Sequence, residues 1–143
     1  MKIKNGNLWD NKGESDIICI TTNGILNKYG RLIMGAGVAL QACFDRPDLP
    51  SKLGEHVKLN GNVPLLLLEE KILSFPTKNH WKDNSLLTLI EKSALKCQEI
   101  SDNHPNLNFF LPPAGCGNGN LEWSDVEPIL SRILSDKFTV VLK

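Results

Sequence analysis

The sequence predicts an α/β fold in three layers, with a central mixed and mostly parallel sheet held between two layers of helices. Three observations lead to it. β-Branched and aromatic runs alternate with helical patterns, one of those runs is apolar almost throughout, and glycine clusters accompany two of the strands. A chain of 143 residues has room for one such domain, 1–143, and for no second.

Ile17-Ile-Cys-Ile-Thr-Thr22 is expected as the central strand, because a continuous apolar stretch suits a strand covered on both faces. Val63 to Leu68 and Lys71 to Phe75 read as two more strands, with a tight reversal at Glu69-Glu70, and Phe109 to Leu111 and Phe138 to Leu142 supply the rest. Met34-Gly-Ala-Gly-Val38 opens a helical pattern that runs on through Ala39, Leu40 and Phe44. Leu86, Ile90, Ala94, Cys97 and Ile100 recur at helical spacing behind Ser85, a residue type that caps exposed amides. Ser124-Asp-Val-Glu127 has the form of a capping box, followed by an apolar face of Val126, Ile129, Leu130 and Ile133, with Pro128 expected in the first turn.

Lysine plus arginine equals aspartate plus glutamate at 16 each, so no global field draws the protein to nucleic acid or anionic lipid. An anion must be caught by local geometry. Cys19, Cys43, Cys97 and Cys116 are far apart and form no Cys-x-x-Cys pair, which suits a reduced, cytoplasmic chain. The amino terminus lacks the apolar core of a signal peptide, and Val63 to Leu68 is too short to span a bilayer. A soluble monomer without a membrane partner is expected. No repeat or linker composition interrupts the chain.

Sheets of this kind bind ligands where loops leave the carboxyl ends of their strands. Met34 to Val38 lies downstream of the Ile17 strand, and Ala114-Gly-Cys-Gly-Asn-Gly-Asn120 directly follows the Phe109 strand. Either cluster alone reads equally well as a tight turn. Together they can converge backbone amides on phosphate oxygens, aided by the partial positive charge of a helix amino end. There is no Gly-Lys-Ser/Thr of a P-loop, and Gly35-Ala-Gly37 lacks the third glycine of a dinucleotide fingerprint.

Lys78, in Phe75-Pro-Thr-Lys78, would stand at the sheet's carboxyl edge. Beside the role of an ordinary solvated loop lysine, two chemistries are open to it: a cation that stabilises charge on a departing group, or an amine nucleophile, which needs a pKa well below the ordinary value of about 10.4. His56, His80 and His104 are widely spaced, so surface or loop roles are expected for them and no metal site. Cys116 has no neighbouring base and reads as a small residue in its loop. Trp81 and Trp123 are expected to close the edge of the core. Lys78, His80, Trp81 and Lys82 fit either a solvated loop or a basic, aromatic lip for a nucleic acid strand.

Gly6-Asn-Leu8, Ile20-Thr-Thr-Asn-Gly24, Met34 to Gln41, Phe75-Pro-Thr-Lys-Asn-His-Trp81 and Leu111 to Trp123 together resemble, in order, the motifs of the macrodomain family. The likeness covers nearly the whole chain. It is nearest to the branch of DarG-type antitoxin macrodomains, which remove ADP-ribose from DNA bases, and of the terminal ADP-ribose protein glycohydrolase. The resemblance implies a three-layer macrodomain that binds ADP-ribose or an ADP-ribosylated DNA or protein, with no cofactor.

Residue by residue, Asn7 and Leu8 match the adenosine-side loop, where many members have aspartate in place of Asn7. Asn23 matches the asparagine facing the distal ribose, and Lys78 matches the catalytic lysine of the DarG-like branch. Gly35, Ala36, Gly37 and Val38 match the first phosphate loop; Gly115, Cys116, Gly117, Asn118, Gly119 and Asn120 match the second. Gly119 stands where the protein glycohydrolase has a catalytic aspartate, and the segment from Gly24 to Leu32 is longer than in many DarG-type proteins. The implied activity is ADP-ribosyl hydrolysis, with Lys78 and Asn23 as catalytic residues. ADP-ribose 1″-phosphate phosphatase activity and a non-catalytic reader of ADP-ribose signals are the alternatives.

Overall fold

The computed structural model describes all residues, 1–143. Its strands are β1 (Lys2–Asn5), β2 (Asp16–Thr22), β3 (Leu66–Leu67), β4 (Ile72–Pro76), β5 (Asn108–Leu111) and β6 (Phe138–Leu142), and its helices are α1 (Gly37–Cys43), α2 (Leu49–Asn60), α3 (Leu87–Asp102) and α4 (Trp123–Ile133). The six strands make one sheet in the order β1-β6-β5-β2-β4-β3. Every pairing is parallel except that of β3 with β4. The carboxyl ends of β1, β6, β5, β2 and β4 therefore open onto one edge.

Successive side chains of a strand point to opposite faces, and β2 uses this to join two cores. Ile17 and Cys19 pack with Phe75, Phe109 and Phe138 and with Ile90, Ala94, Val126 and Leu130 of α3 and α4. Ile18 and Ile20 pack on the other face with Ala39, Ala42, Leu49 and Leu53 of α1 and α2. All four are buried, which is why the run is apolar without alternation; each such burial contributes about 1.5–3 kcal/mol.

Two elements have no counterpart among the expected ones. β1 is exposed at all four positions, so its sequence carries no apolar signal, and only its pairing with β6 makes it a strand. In α2 the buried residues are Leu49, Leu53 and Gly54 alone. The helix comes so close to the loop after β2 that a Cβ at Gly54 would fall on the Gly30 carbonyl oxygen.

Three expected details differ. Of Val63 to Leu68, Leu66 and Leu67 alone form the strand beside β4; Pro64 has no N–H to give to a ladder, and although Leu65 O accepts from Ser74 N at 3.0 Å, Leu65 N donates to the side-chain Ser74 Oγ at 2.8 Å. Ser85 does not cap α3: Leu86 holds that position, and Ser85 N donates to Gly119 O at 2.9 Å. α4 begins at Trp123 with Glu122 before it. Ser124 and Glu127 thus lie inside the helix without forming a capping box, and Pro128 falls past the first turn. No helix is long and apolar enough to cross a membrane.

Candidate functional site

The loops leaving β2 and β4 are tied together at the start. Thr77 N donates to Thr22 O and Gly24 N to Asn79 O, each at 3.0 Å. Asn23, buried at the end of β2, gives its amide to the loop it begins: Nδ2 donates to Ile33 O and Oδ1 accepts from Ile25 N, both at 2.9 Å. One of its N–H groups remains. Asn62, which the sequence reading did not single out, joins the two loops. Its Nδ2 donates to Lys78 O and to Asn79 Oδ1, each at 3.0 Å, and its Cγ lies 2.9 Å from where a Cβ on Gly24 would stand. Nothing in Gly61-Asn-Val-Pro64 signals a partner 16 residues on.

Gly35, Ala36 and Gly37 of the first glycine cluster are exposed, and Val38 is half-buried. Gly37 has φ +59°, a left-handed conformation that disfavours a side chain. A Cβ there would stand 3.4 Å from Asn118 Nδ2, so the two glycine loops face one another. The second loop folds on itself through Cys116 N to Pro113 O, Asn120 N to Gly117 O and Leu121 N to Gly115 O. Asn120, at φ +62°, donates from Nδ2 to Asn84 Oδ1 at 2.8 Å.

Within that loop the glycines differ. Gly117 is exposed, with no protein atom within 4 Å of a Cβ. Gly115 and Gly119 are buried: a Cβ at 115 would meet Ile90, Leu121 and Ser85, and one at 119 would fall on Ser85 Oγ and the Gly115 carbonyl. An aspartate at 119 has no space. Ser85, read from sequence only as a helix cap, carries a buried hydroxyl with no hydrogen-bond partner against this loop. Lys78 completes the cluster, its Nζ donating to Asn118 O at 3.4 Å.

In the loop after β1, Asn7 Oδ1 accepts from Trp9 N at 3.0 Å and so caps a 3-10 turn over Leu8–Asp10. Leu8 is a core residue, 8% exposed. Beside it, Trp9 Nε1 donates to Gln41 Oε1 at 2.8 Å, and the Arg46 guanidinium stacks 5.5 Å from the Trp9 ring.

Burial, and secondarily the Glu122 carboxylate, pushes the Cys116 thiol up, which keeps it protonated and poorly nucleophilic. Each histidine ring has a backbone partner: His56 Nε2 with Val63 O, His104 Nδ1 with Ile100 O, and His80 Nδ1 with Lys82 N. No three His, Cys, Asp or Glu side chains converge on a common point. Trp123 packs against the core as expected. Trp81 does not; it is 48% exposed and belongs to neither core cluster.

The fold closely matches solved structures. The macrodomain of Thermus aquaticus DarG superposes with a TM-score of 0.78 at 25% identity, over 99% of this chain and 97% of that one. The chain has the macrodomain fold. Thermosipho africanus DarTG, solved in complex with ADP-ribose, matches with a TM-score of 0.76 at 22% identity, over 96% of this chain and 40% of that one. Among curated proteins, the chain is 28% identical over 126 residues to the DNA ADP-ribosyl glycohydrolase of Mycobacterium tuberculosis, covering 80% of this chain but only 36% of that protein. The chain thus spans about a third of the length of this relative. No protein-family model matches the sequence.

Proposed function

We propose that this macrodomain binds ADP-ribose along the carboxyl edge of its sheet and hydrolyses the bond between the distal ribose and a nucleic acid base. The observation that carries the reading is the position of Asn118, which meets Gly37 of the first glycine loop through its side chain and Lys78 through its carbonyl. Two amide-rich loops and one lysine thus share a single point. The relatives named DNA ADP-ribosyl glycohydrolase and the DarTG complex with ADP-ribose support the same reading.

In this reading the exposed amides of Gly35 to Gly37 and of Gly117 and Asn118 hold the diphosphate, in a loop geometry already set before the ligand arrives. Asn23 fixes the wall around the distal ribose and keeps one N–H for a ribose hydroxyl. The anomeric carbon–nitrogen bond breaks with its electron pair leaving on the base. Water supplies the new carbon–oxygen bond, its proton passes to the released base, and Lys78 stabilises the charge that develops on the departing group.

A turnover panel of ADP-ribosylated single-stranded DNA, ADP-ribosylated protein and ADP-ribose 1″-phosphate tests the proposal. Release of ADP-ribose from the DNA is expected. Turnover of the phosphate ester alone would make the protein a phosphatase, and ADP-ribose binding without turnover of any substrate would make it a reader.

A further inference from the structure

The loop that carries Lys78 and the loop tied to it through Gly24 and Asn79 each present an aromatic ring to solvent with a lysine beside it. Trp81 is 48% exposed, with Lys82 Nζ 5.1 Å from its ring centre and His80 at 5.5 Å between ring centres. Tyr29 is 73% exposed, with Lys28 Nζ 5.1 Å from its ring. Neither ring belongs to a core cluster, and each keeps a cation beside it on a loop that leaves the carboxyl edge of the sheet.

The Tyr29 loop is held firmly. Asn27 Oδ1 accepts from Tyr29 N and Arg31 N at 2.9 and 3.0 Å, Leu26 bridges to Leu32, and the Gly30 carbonyl is pressed against Gly54 of α2. The Trp81 loop is joined to it through Gly24, Asn79 and Asn62. Across residues 24–33 and 77–85 the charges are Lys28, Arg31, Lys78 and Lys82, against the single carboxylate of Asp83. A protein of zero net charge thus concentrates positive charge on the loops that frame the lysine.

We infer that these two loops form a binding rim for single-stranded nucleic acid, in which Trp81 and Tyr29 stack on unpaired bases flanking the modified one and Lys82 and Lys28 meet the adjoining phosphates. Base–aromatic stacking tolerates any sequence, because every base has a π-face. Rings already fixed by their loops lose little freedom on stacking. A duplex, whose bases are stacked on one another, offers nothing to them. The inference rests on the proposed function, since it assigns the strand that carries the ADP-ribosylated base to this rim.

The test measures binding of an unmodified, labelled oligothymidylate by anisotropy at low salt, beside calorimetry with ADP-ribose on the same preparations. Trp81→Ala and Tyr29→Ala should each weaken the strand about tenfold and the double variant about a hundredfold, with Trp81→Phe near wild type and ADP-ribose affinity unchanged throughout. Lys82→Ala should reduce the slope of log affinity against log salt by about 0.7. A double variant that binds the strand like wild type, a duplex that binds as tightly as the single strand, or no strand binding by a protein that binds ADP-ribose would overturn the rim. Failure to bind ADP-ribose would instead overturn the proposed function. Both rings are exposed, so melting temperatures should stay unchanged and certify the folded state of each variant.

Discussion

Lys78 Nζ donates to the backbone carbonyl oxygen of Asn118 across 40 residues of sequence, at 3.4 Å. That is longer than a strong N–H···O bond of 2.7–3.2 Å, so an incoming ligand atom can replace the carbonyl at small cost. Lys78→Ala is accordingly expected to keep ADP-ribose affinity within a fewfold while single-turnover release of ADP-ribose falls about a hundredfold or more. Equal release by variant and wild type would remove the lysine from the mechanism. Joint loss of binding and release would make it part of the ligand clamp.

Gly117 and Gly119 should separate ligand approach from folding, although they lie two residues apart. A Cβ at 117 has no protein atom within 4 Å, so for Gly117→Val circular dichroism melts should match wild type while ADP-ribose affinity is lost. Gly119→Ala drives a methyl into Ser85 Oγ and the Gly115 carbonyl, and overpacking of this kind costs about 1–3 kcal/mol. A lowered melting temperature is expected for this variant. If Gly117→Val binds normally, the phosphates sit elsewhere.

Asn62→Ala removes the amide that donates to Lys78 O and Asn79 Oδ1 without touching the glycine loops. Turnover should fall about tenfold through a loosened Lys78, on the scale of one or two lost hydrogen bonds. ADP-ribose affinity and the pH profile should be retained. A matching loss of affinity would show that Asn62 supports the ligand pocket as a whole.

Burial holds the Cys19 and Cys97 thiols well above the ordinary thiol range. They stay protonated in the folded protein at a pH where the unfolded chain has lost those protons. Their contribution to stability is therefore complete below the unfolded thiol pKa of about 8.5 and declines as pH rises above it, by up to about 1.4 kcal/mol per pH unit for each thiol. Urea denaturation across the alkaline range measures that slope. Cys97→Ala should lower stability at neutral pH but flatten the alkaline decline, and parallel curves would refute the assignment.

The elements that sequence alone determined are those whose burial is written into side-chain pattern: the strand at Ile17 to Thr22, the helix through Ile90, Ala94 and Cys97, and the loops whose glycines follow strands. Their chemistry is local, because hydrophobic periodicity and backbone freedom are properties of adjacent residues. β1 and α2 were not legible, since an exposed edge strand and a helix with two buried leucines owe their form to partners distant in the chain. The same holds for the site. Glycine composition marked both loops and the strand end marked Lys78. That Asn118 stands between Gly37 and Lys78, that Asn62 ties Lys78 to Gly24, and that Gly119 has no room for an aspartate were decided only by the tertiary structure. Parallel crossovers bring the ends of β2, β4 and β5 to one edge, and which atoms then lie within hydrogen-bonding reach depends on sheet order and register, which no stretch of neighbouring residues encodes.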